Sequence, residues 1–278
     1  MAGTIDQVYP RVTKAVCRIT PKGRTPRPVG YVLRVTTDSS APTLRRSWRL
    51  FRAFRVEQTD PDRFYGELAA DSVDQVQHYA DLSGAWVLDV GGGPGYFSSA
   101  FRGAGARYTA LDADLGELSG LGDPEPGTVL GSGMALPFAD GSFDVTYSSN
   151  VLEHVPDPWL MADEMVRVTK PGGLVYLSYT LWWGPHGGHE TSPWHFLGGH
   201  RAARRYERTH GHRPKNVYGE SLFAVRASSG LAWARSRRDV EVLELMPRYL
   251  PRWSWWILRV PGVREVLTWN LAIVLRRR

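Results

Sequence analysis

Residues 87–97 read Val87-Leu88-Asp89-Val90-Gly91-Gly92-Gly93-Pro94-Gly95-Tyr96-Phe97. An apolar run from Ala85 to Val90 (AWVLDV) ends abruptly in glycines. That pattern predicts a buried parallel strand, a tight turn, and a helix from Tyr96 to Arg102. Glycine tolerates positive φ and lets a ligand approach the backbone closely. The next predicted strand, Arg107–Leu111, is followed at once by Asp112, 21 residues beyond Gly91. An acid at that place can hydrogen-bond a ribose diol. The dinucleotide fingerprint Gly-x-Gly-x-x-Gly does not fit, because its last position falls on Tyr96 or Ser98. A phosphate-binding P-loop fails too, since no Gly-Lys-Ser/Thr follows. What fits is Asp-x-Gly-x-Gly-x-Gly, carried by Asp89, Gly91, Gly93 and Gly95.

Downstream, strands are predicted at Thr128–Gly131, Phe143–Ser148 and Leu174–Tyr179. A helix at Pro158–Thr169 is closed by Lys170-Pro171-Gly172-Gly173. This alternation predicts a parallel, doubly wound α/β sheet in residues 85–180. Residues 44–84 hold two helices: Ser47–Phe54, basic and amphipathic, and one from Asp60-Pro61 to about Leu82, with Asp60 as N-cap. Residues 181–218 are dense in Trp, His, Gly and Arg without a clean period, and Glu220–Arg235 reads as a helix. Residues 238–278 give a strand at Val240–Leu245, an apolar Arg-punctuated helix at Trp253–Thr268 broken at Pro261, and a last strand at Asn270–Leu275. Residues 1–43 read as a poorly packed basic extension whose one strand candidate is Val29–Val35.

The 278 residues, 42% hydrophobic and 22% charged, suffice for a real core and exclude wholesale disorder. One cysteine, Cys17, excludes an intrachain disulfide framework and a Cys-based zinc site. Met1–Pro28 has no apolar h-region, and no run reaches the roughly 18 apolar residues of a membrane span. The expected location is therefore the cytoplasm. The net charge of +6 is uneven. Residues 1–55 carry twelve Lys/Arg against Asp6 and Asp38, and residues 248–278 carry seven Arg against Glu265. Basic ends suggest an anionic surface.

Five segments occur in order: VLDVGGGPGYF, TALDAD, GSGMALPFADGSFD, SSNVLEHVPDP and EMVRVTKPGGLVYLS. Over roughly residues 60–180 the chain thus resembles the class I methyltransferases that use S-adenosylmethionine (SAM), specifically the methyltransferase type 11 group. The resemblance implies a Rossmann-like, seven-stranded doubly wound sheet with a substrate-cover insertion after the fifth strand, residues 181–237, and SAM as cofactor. It implies that Gly91, Gly92, Gly93 and Gly95 cradle the methionine part and that Asp89 helps hold its amino group. Asp112 would accept both ribose hydroxyls, and Ala113 would lie against adenine. Ser132, Gly133 and Met134 would flank the adenine edge, and Asn150 would face the methionine end. The family often has Asp where this chain has Ser132, which leaves backbone recognition of adenine there.

Methyl transfer from SAM is an in-line displacement, and an alcohol acceptor needs a base or a metal to remove its proton. Glu153 and His154 follow the strand end expected to line the site. In the similar ubiquinone-pathway O-methyltransferases such a Glu-His pair is associated with a divalent metal, with another acid three residues earlier. That position is Asn150 here, so no metal is assigned. His154 is a candidate base, and Glu153 otherwise braces the turn. Six of the eight histidines lie between 186 and 212. They suggest an acceptor pocket with His189 or His195 as base; the alternative is histidines that hold glycine-rich turns together. His186-x-x-His189-Glu190 has a metal-like spacing but is not the zinc-protease motif.

Ser149-Asn150-Val151-Leu152 stands where base-methylating enzymes carry a stacking motif, which argues against nucleic acid. Pro251–Thr268 sets Trp253, Trp255 and Trp256 among Arg252, Arg259 and Arg264, a pattern suited to a membrane interface. The alternative is that this face covers the sheet or a dimer contact. The expected activity is O-methylation of a hydroxyl on a lipid, glycolipid or other hydrophobic small molecule, at the inner face of the plasma membrane. The alternatives are a soluble-metabolite methyltransferase and a non-catalytic, membrane-peripheral SAM-binding module.

Overall fold

A computed structural model describes residues 41–55, 59–120 and 127–278. Of the extension expected at 1–43, residues 1–40, with the strand candidate Val29–Val35, lie outside them. Seven strands form one sheet: β1 (Trp86–Val90), β2 (Arg107–Asp112), β3 (Val129–Leu130), β4 (Phe143–Ser149), β5 (Thr169–Thr180), β6 (Val240–Pro247) and β7 (Asn270–Arg277). Among the described residues eight α-helices accompany them: α1 (Leu44–Phe54), α2 (Pro61–Gln77), α3 (Ser98–Gly103), α4 (Leu115–Leu118), α5 (Pro158–Val168), α6 (Gly199–His210), α7 (Ala227–Ser236) and α8 (Val263–Leu267). The strand order is β3-β2-β1-β4-β5-β7-β6. The first five strands pair in parallel, as expected. β7, outside the stretch expected to be parallel, runs antiparallel between β5 and β6.

The reversal has a topological cause. β6 runs the same way as β5, and the chain then stays at the same sheet edge through residues 248–269 before returning as β7. No crossover is needed between such neighbours. Thr180 pairs with Asn270 and Pro247 with Leu271, so this connection sits at the edge where the parallel strands end. Ligands bind at that edge in open α/β sheets.

Strand alternation separates two cores. Leu88, Val90, Leu177 and Ile273 face α5 and α7. Val87, Tyr147, Tyr176 and Val274 face α1, α2 and α3. A buried ion pair docks the first helices. Two guanidinium nitrogens of Arg46, Nε and Nη2, donate to Asp71 at 2.7 and 2.6 Å, and the third, Nη1, donates to the Arg248 carbonyl at 2.8 Å. Breaking a buried pair by removing one partner costs about 3–5 kcal/mol.

Several boundaries differ from the sequence reading for local reasons. Thr43 caps α1, accepting from the Arg46 amide at 3.2 Å, so the helix starts before Ser47. α2 is capped by Asp60, as expected, but stops at Gln77 because an Asp81 turn and positive-φ Gly84 redirect the chain. α6 lies where no period was legible: it is rich in Arg and buries only Gly199 and Ala202. The helix expected over Glu220–Arg235 shrinks to α7. Before it, Ser221 Oγ accepts from the Val217 amide and holds a tight turn. The helix expected over Trp253–Thr268 is a 3-10 segment, Arg252–Arg259, followed by α8. Glu265 of α8 caps α7, accepting from the amides of Ala227 at 2.8 Å and Ser228 at 2.9 Å.

Candidate active site

The turn after β1 has the backbone its glycines imply. Gly91, Gly93 and Gly95 have φ of 79°, 50° and 90°. The amides of Gly91 and Gly92 donate to the Leu111 carbonyl at 2.7 and 3.2 Å, which ties the turn to β2. A Cβ added at Gly91 would lie 2.4 Å from Val151 Cγ2, whereas one at Gly93 or Gly95 would meet nothing within 4 Å. The turn is therefore closed on the Val151 side and open on the other.

Asp112, ending β2, faces this turn. Its Oδ2 accepts from the Gly93 amide at 3.1 Å and its Oδ1 from the Asp114 amide at 3.0 Å. Burial raises its pKa, and these amides oppose the rise. Asp89 is 2% exposed and accepts from the Tyr108 hydroxyl at 2.6 Å. Burial pushes its pKa up to about 7. Ala113 is exposed next to Asp112. Ser132 Oγ accepts from the Met134 amide at 3.2 Å. A Cβ at Gly133 would sit 3.1 Å from Met161 Sδ and from Val90 Cγ1, so the backbone passes close to the strand there. Asn150 takes φ of 57°, and its Oδ1 accepts from Asn270 Nδ2 at 2.6 Å.

One residue past Val151 begins the 3-10 turn Leu152–His154. Glu153 is 1% exposed; its Oε1 accepts from the Thr180 amide at 2.9 Å, and its Oε2 meets no protein donor. Burial drives its pKa upward, opposed by His154. His154 Nδ1 lies 2.8 Å from the Ser221 carbonyl. A carbonyl only accepts, so Nδ1 carries the proton and Nε2 presents its lone pair. The His189 ring stands 5.0 Å from that of His154, and its buried Nε2 has no partner. Burial, together with His154, His186 and His195, pushes its pKa down to about 3.

The structure thus brings His154 and His189 together, with Glu153 beside them. It keeps His195 apart. That residue is fully buried, with Nδ1 3.3 Å from Ser192 Oγ and Nε2 3.2 Å from the Gly184 carbonyl. His186 packs on Phe54 and Trp269. The insertion is fastened to the turn by the Phe223 amide, which donates to the Glu153 carbonyl at 2.8 Å.

Thr180, Ser221 and Asn270 escaped the sequence reading, because two act through backbone groups and the third through a long-range contact. Arg248 escaped it too, counted there among the basic tail residues. It is 1% exposed and donates to Ser149 Oγ, Ser178 Oγ and Ser72 Oγ at 2.6, 2.7 and 2.6 Å, beneath the strand ends. The Trp/Arg connection has two faces. Ile257 and Leu258 are buried, while Trp253 and Trp256 are 72% and 53% exposed. Among the described residues no helix is long and apolar enough to cross a membrane.

A methyltransferase-domain family model matches residues 88–177. The chain is 56% identical over 244 residues to an uncharacterized methyltransferase of Mycolicibacterium gilvum (strain PYR-GCK), across 84% of this chain and 95% of the relative. It is 53% identical over 249 residues to an uncharacterized methyltransferase of Mycobacteroides abscessus, across 85% of this chain and 95% of that one. A SAM-dependent methyltransferase structure from Mesorhizobium loti aligns at 19% identity and TM-score 0.49, over 77% of this chain and 98% of that chain. The chain belongs to the methyltransferase type 11 group of class I SAM-dependent methyltransferases, with SAM as its methyl donor.

Proposed function

We propose that this enzyme O-methylates a hydroxyl of a hydrophobic small molecule, such as a lipid or glycolipid. The observation that carries the reading is the cluster of buried Glu153 with half-buried His154 and His189, which begins two residues past Val151, whose side chain packs on the SAM turn. A hydroxyl is a poor nucleophile while it keeps its proton, and this cluster supplies lone pairs in a site shielded from water. SAM brings the activated methyl carbon.

The residues around the turn fit SAM. The open side at Gly93 and Gly95 is a cradle that any Cβ would begin to fill, which suits the methionine moiety. The Asp112 oxygens keep acceptor capacity beyond their amide contacts, enough for a ribose diol. Asp89 lies behind Gly92 and acts on the methionine end through its field and through the backbone it underpins. Gly133 and Met134 offer the adenine a backbone edge. Asn150, oriented by Asn270, borders the space between donor and cluster. His154 and His189 face the acceptor hydroxyl, whereas both nitrogens of His195 are used inside the insertion, so its role is to hold the cover.

A hydrophobic acceptor is favoured by the exposed Trp253 and Trp256 at the ligand-binding edge. Arginines add an anionic preference: a cleft of about 590 Å³ is lined by Arg45, Arg49, Arg52 and Trp48. Tryptophan with arginine suits an anionic lipid interface. We place the working enzyme at such a surface, on the cytoplasmic side. The test is incubation with SAM and fractionated lipid extracts, followed by mass spectrometry. A new methyl ether in the lipid fraction supports the reading, and methylation confined to water-soluble metabolites overturns it.

A further inference from the structure

We infer that Glu153, His154 and His189 together bind one divalent transition-metal ion. The inference rests on the proposed hydroxyl chemistry only for what the ion would do, not for its binding. One ligand atom from each residue lies within 4.8 Å of the other two. Ligands at about 2.0–2.2 Å from a common zinc-like centre are at most about 4.4 Å apart, so a small side-chain adjustment closes the set.

Two donor atoms of this cluster have no other use. Glu153 Oε2 and His189 Nε2 are both buried without a hydrogen-bond partner. Native proteins seldom leave such atoms bare, and two of them in one cluster of potential ligands call for a cation. Supporting contacts aim the ligands. The Thr180 amide holds Glu153 Oε1, and the Ser221 carbonyl fixes the His154 tautomer that leaves Nε2 with a lone pair. Metal-bound carboxylates and imidazoles are oriented in this way. His189 also sits at φ of 48°, a backbone state that most side chains avoid and that recurs at functional positions.

This set is not the one suggested by the His186-x-x-His189-Glu190 spacing. His186 packs on Phe54, and Glu190 accepts from Asn216 at 2.8 Å. His189 turns instead toward the 3-10 turn after β4. Two imidazoles and one carboxylate select zinc, manganese, iron(II) or cobalt(II) over magnesium or calcium, which prefer all-oxygen sites. Three protein ligands leave coordination positions open. An acceptor hydroxyl bound there loses its proton to solvent as its oxygen attacks; the O–CH3 bond forms, the S–CH3 bond breaks, and S-adenosylhomocysteine and one proton are released.

The test uses the full chain, stripped with chelator and titrated with cobalt(II) as a visible-absorbing probe, with SAM affinity measured alongside. Expected are one equivalent bound with d–d bands, displacement by zinc, and at least a tenfold weaker site in Glu153→Gln and in His189→Asn. Asn tolerates the left-handed backbone, so His189→Asn should keep wild-type SAM affinity, which reports an intact fold. A chain that binds SAM but takes up no cobalt saturably overturns the inference, as does cobalt binding unchanged in both variants. Stoichiometric cobalt binding without hydroxyl methylation supports the site and overturns the acceptor reading alone. Hydroxyl methylation that persists in a cobalt-blind enzyme does the reverse.

Discussion

The Gly93 amide donates to Asp112 Oδ2 at 3.1 Å, which makes the turn after β1 and the acid ending β2 one unit. Removing the acid therefore acts twice: on the ribose diol it would bind and on the turn it steadies. Asp112→Ala should lower SAM affinity at least 100-fold in calorimetric titration. Asp112→Asn, which keeps one acceptor oxygen, should fall between. Unchanged affinity in Asp112→Ala would remove this acid from the SAM site.

Two glycines of the same turn should respond differently to alanine. At Gly91 the new methyl would collide with Val151 and sit at φ of 79°, so the fold itself should suffer. Overpacking alone costs about 1–3 kcal/mol, and left-handed backbone adds about 1–2 kcal/mol. At Gly93 the methyl meets no protein atom, so only the backbone term applies. Gly93→Ala should lose more SAM affinity than stability, and Gly91→Ala should lose both. Urea unfolding paired with SAM titration separates the two.

Glu265 holds the first turn of α7 through two backbone amides, contacts that involve none of the glycine turn's residues 91–95. Glu265→Ala should destabilise the fold by about 1–3 kcal/mol, the usual range for a lost charge-assisted acceptor. SAM affinity should stay within twofold. A thermal melt and a SAM titration check both halves.

Asp89 gives a pH signature. Burial raises its folded pKa to about 7, far above the ordinary carboxylate value it has when unfolded. In that interval the folded chain holds a proton that the unfolded chain has lost, so stability is full in acid and declines as pH rises through about 7. Asp89→Asn cannot titrate, and its side-chain oxygen still accepts from Tyr108. Its urea midpoint should fall less between pH 5 and 8 than that of the wild type.

Trp253 and Trp256 stand exposed while their neighbours Ile257 and Leu258 are buried. Replacing both tryptophans with alanine should weaken sedimentation with anionic liposomes severalfold while leaving the melting temperature nearly unchanged. A large loss of stability with unchanged liposome binding would assign them to packing.

The glycine turn was legible in the sequence because its conformation is local: positive φ needs glycine, and the Asp112 spacing follows from one strand–helix–strand unit. The same holds for the Asp60 cap, where a side chain meets an amide three residues away. The reversed β7 was not legible, since parallel and antiparallel core strands share the same apolar run. α6 was missed because a helix with one small buried side has no apolar period. His189 was legible as a histidine but not as the partner of His154, 35 residues earlier; only the folded insertion joins them. Arg248 shows the same limit: charge counting places an arginine at a surface, and tertiary packing put this one under the strand ends.

The most direct test of the account is the atom that receives the methyl group. The purified enzyme would be incubated with methyl-deuterated SAM and lipid extract, and the labelled product examined by mass spectrometry and NMR. The account predicts the label on an oxygen of a hydrophobic product, lost when Glu153 or His189 is replaced. Label on nitrogen or carbon, or label on oxygen that persists in both variants, would contradict it.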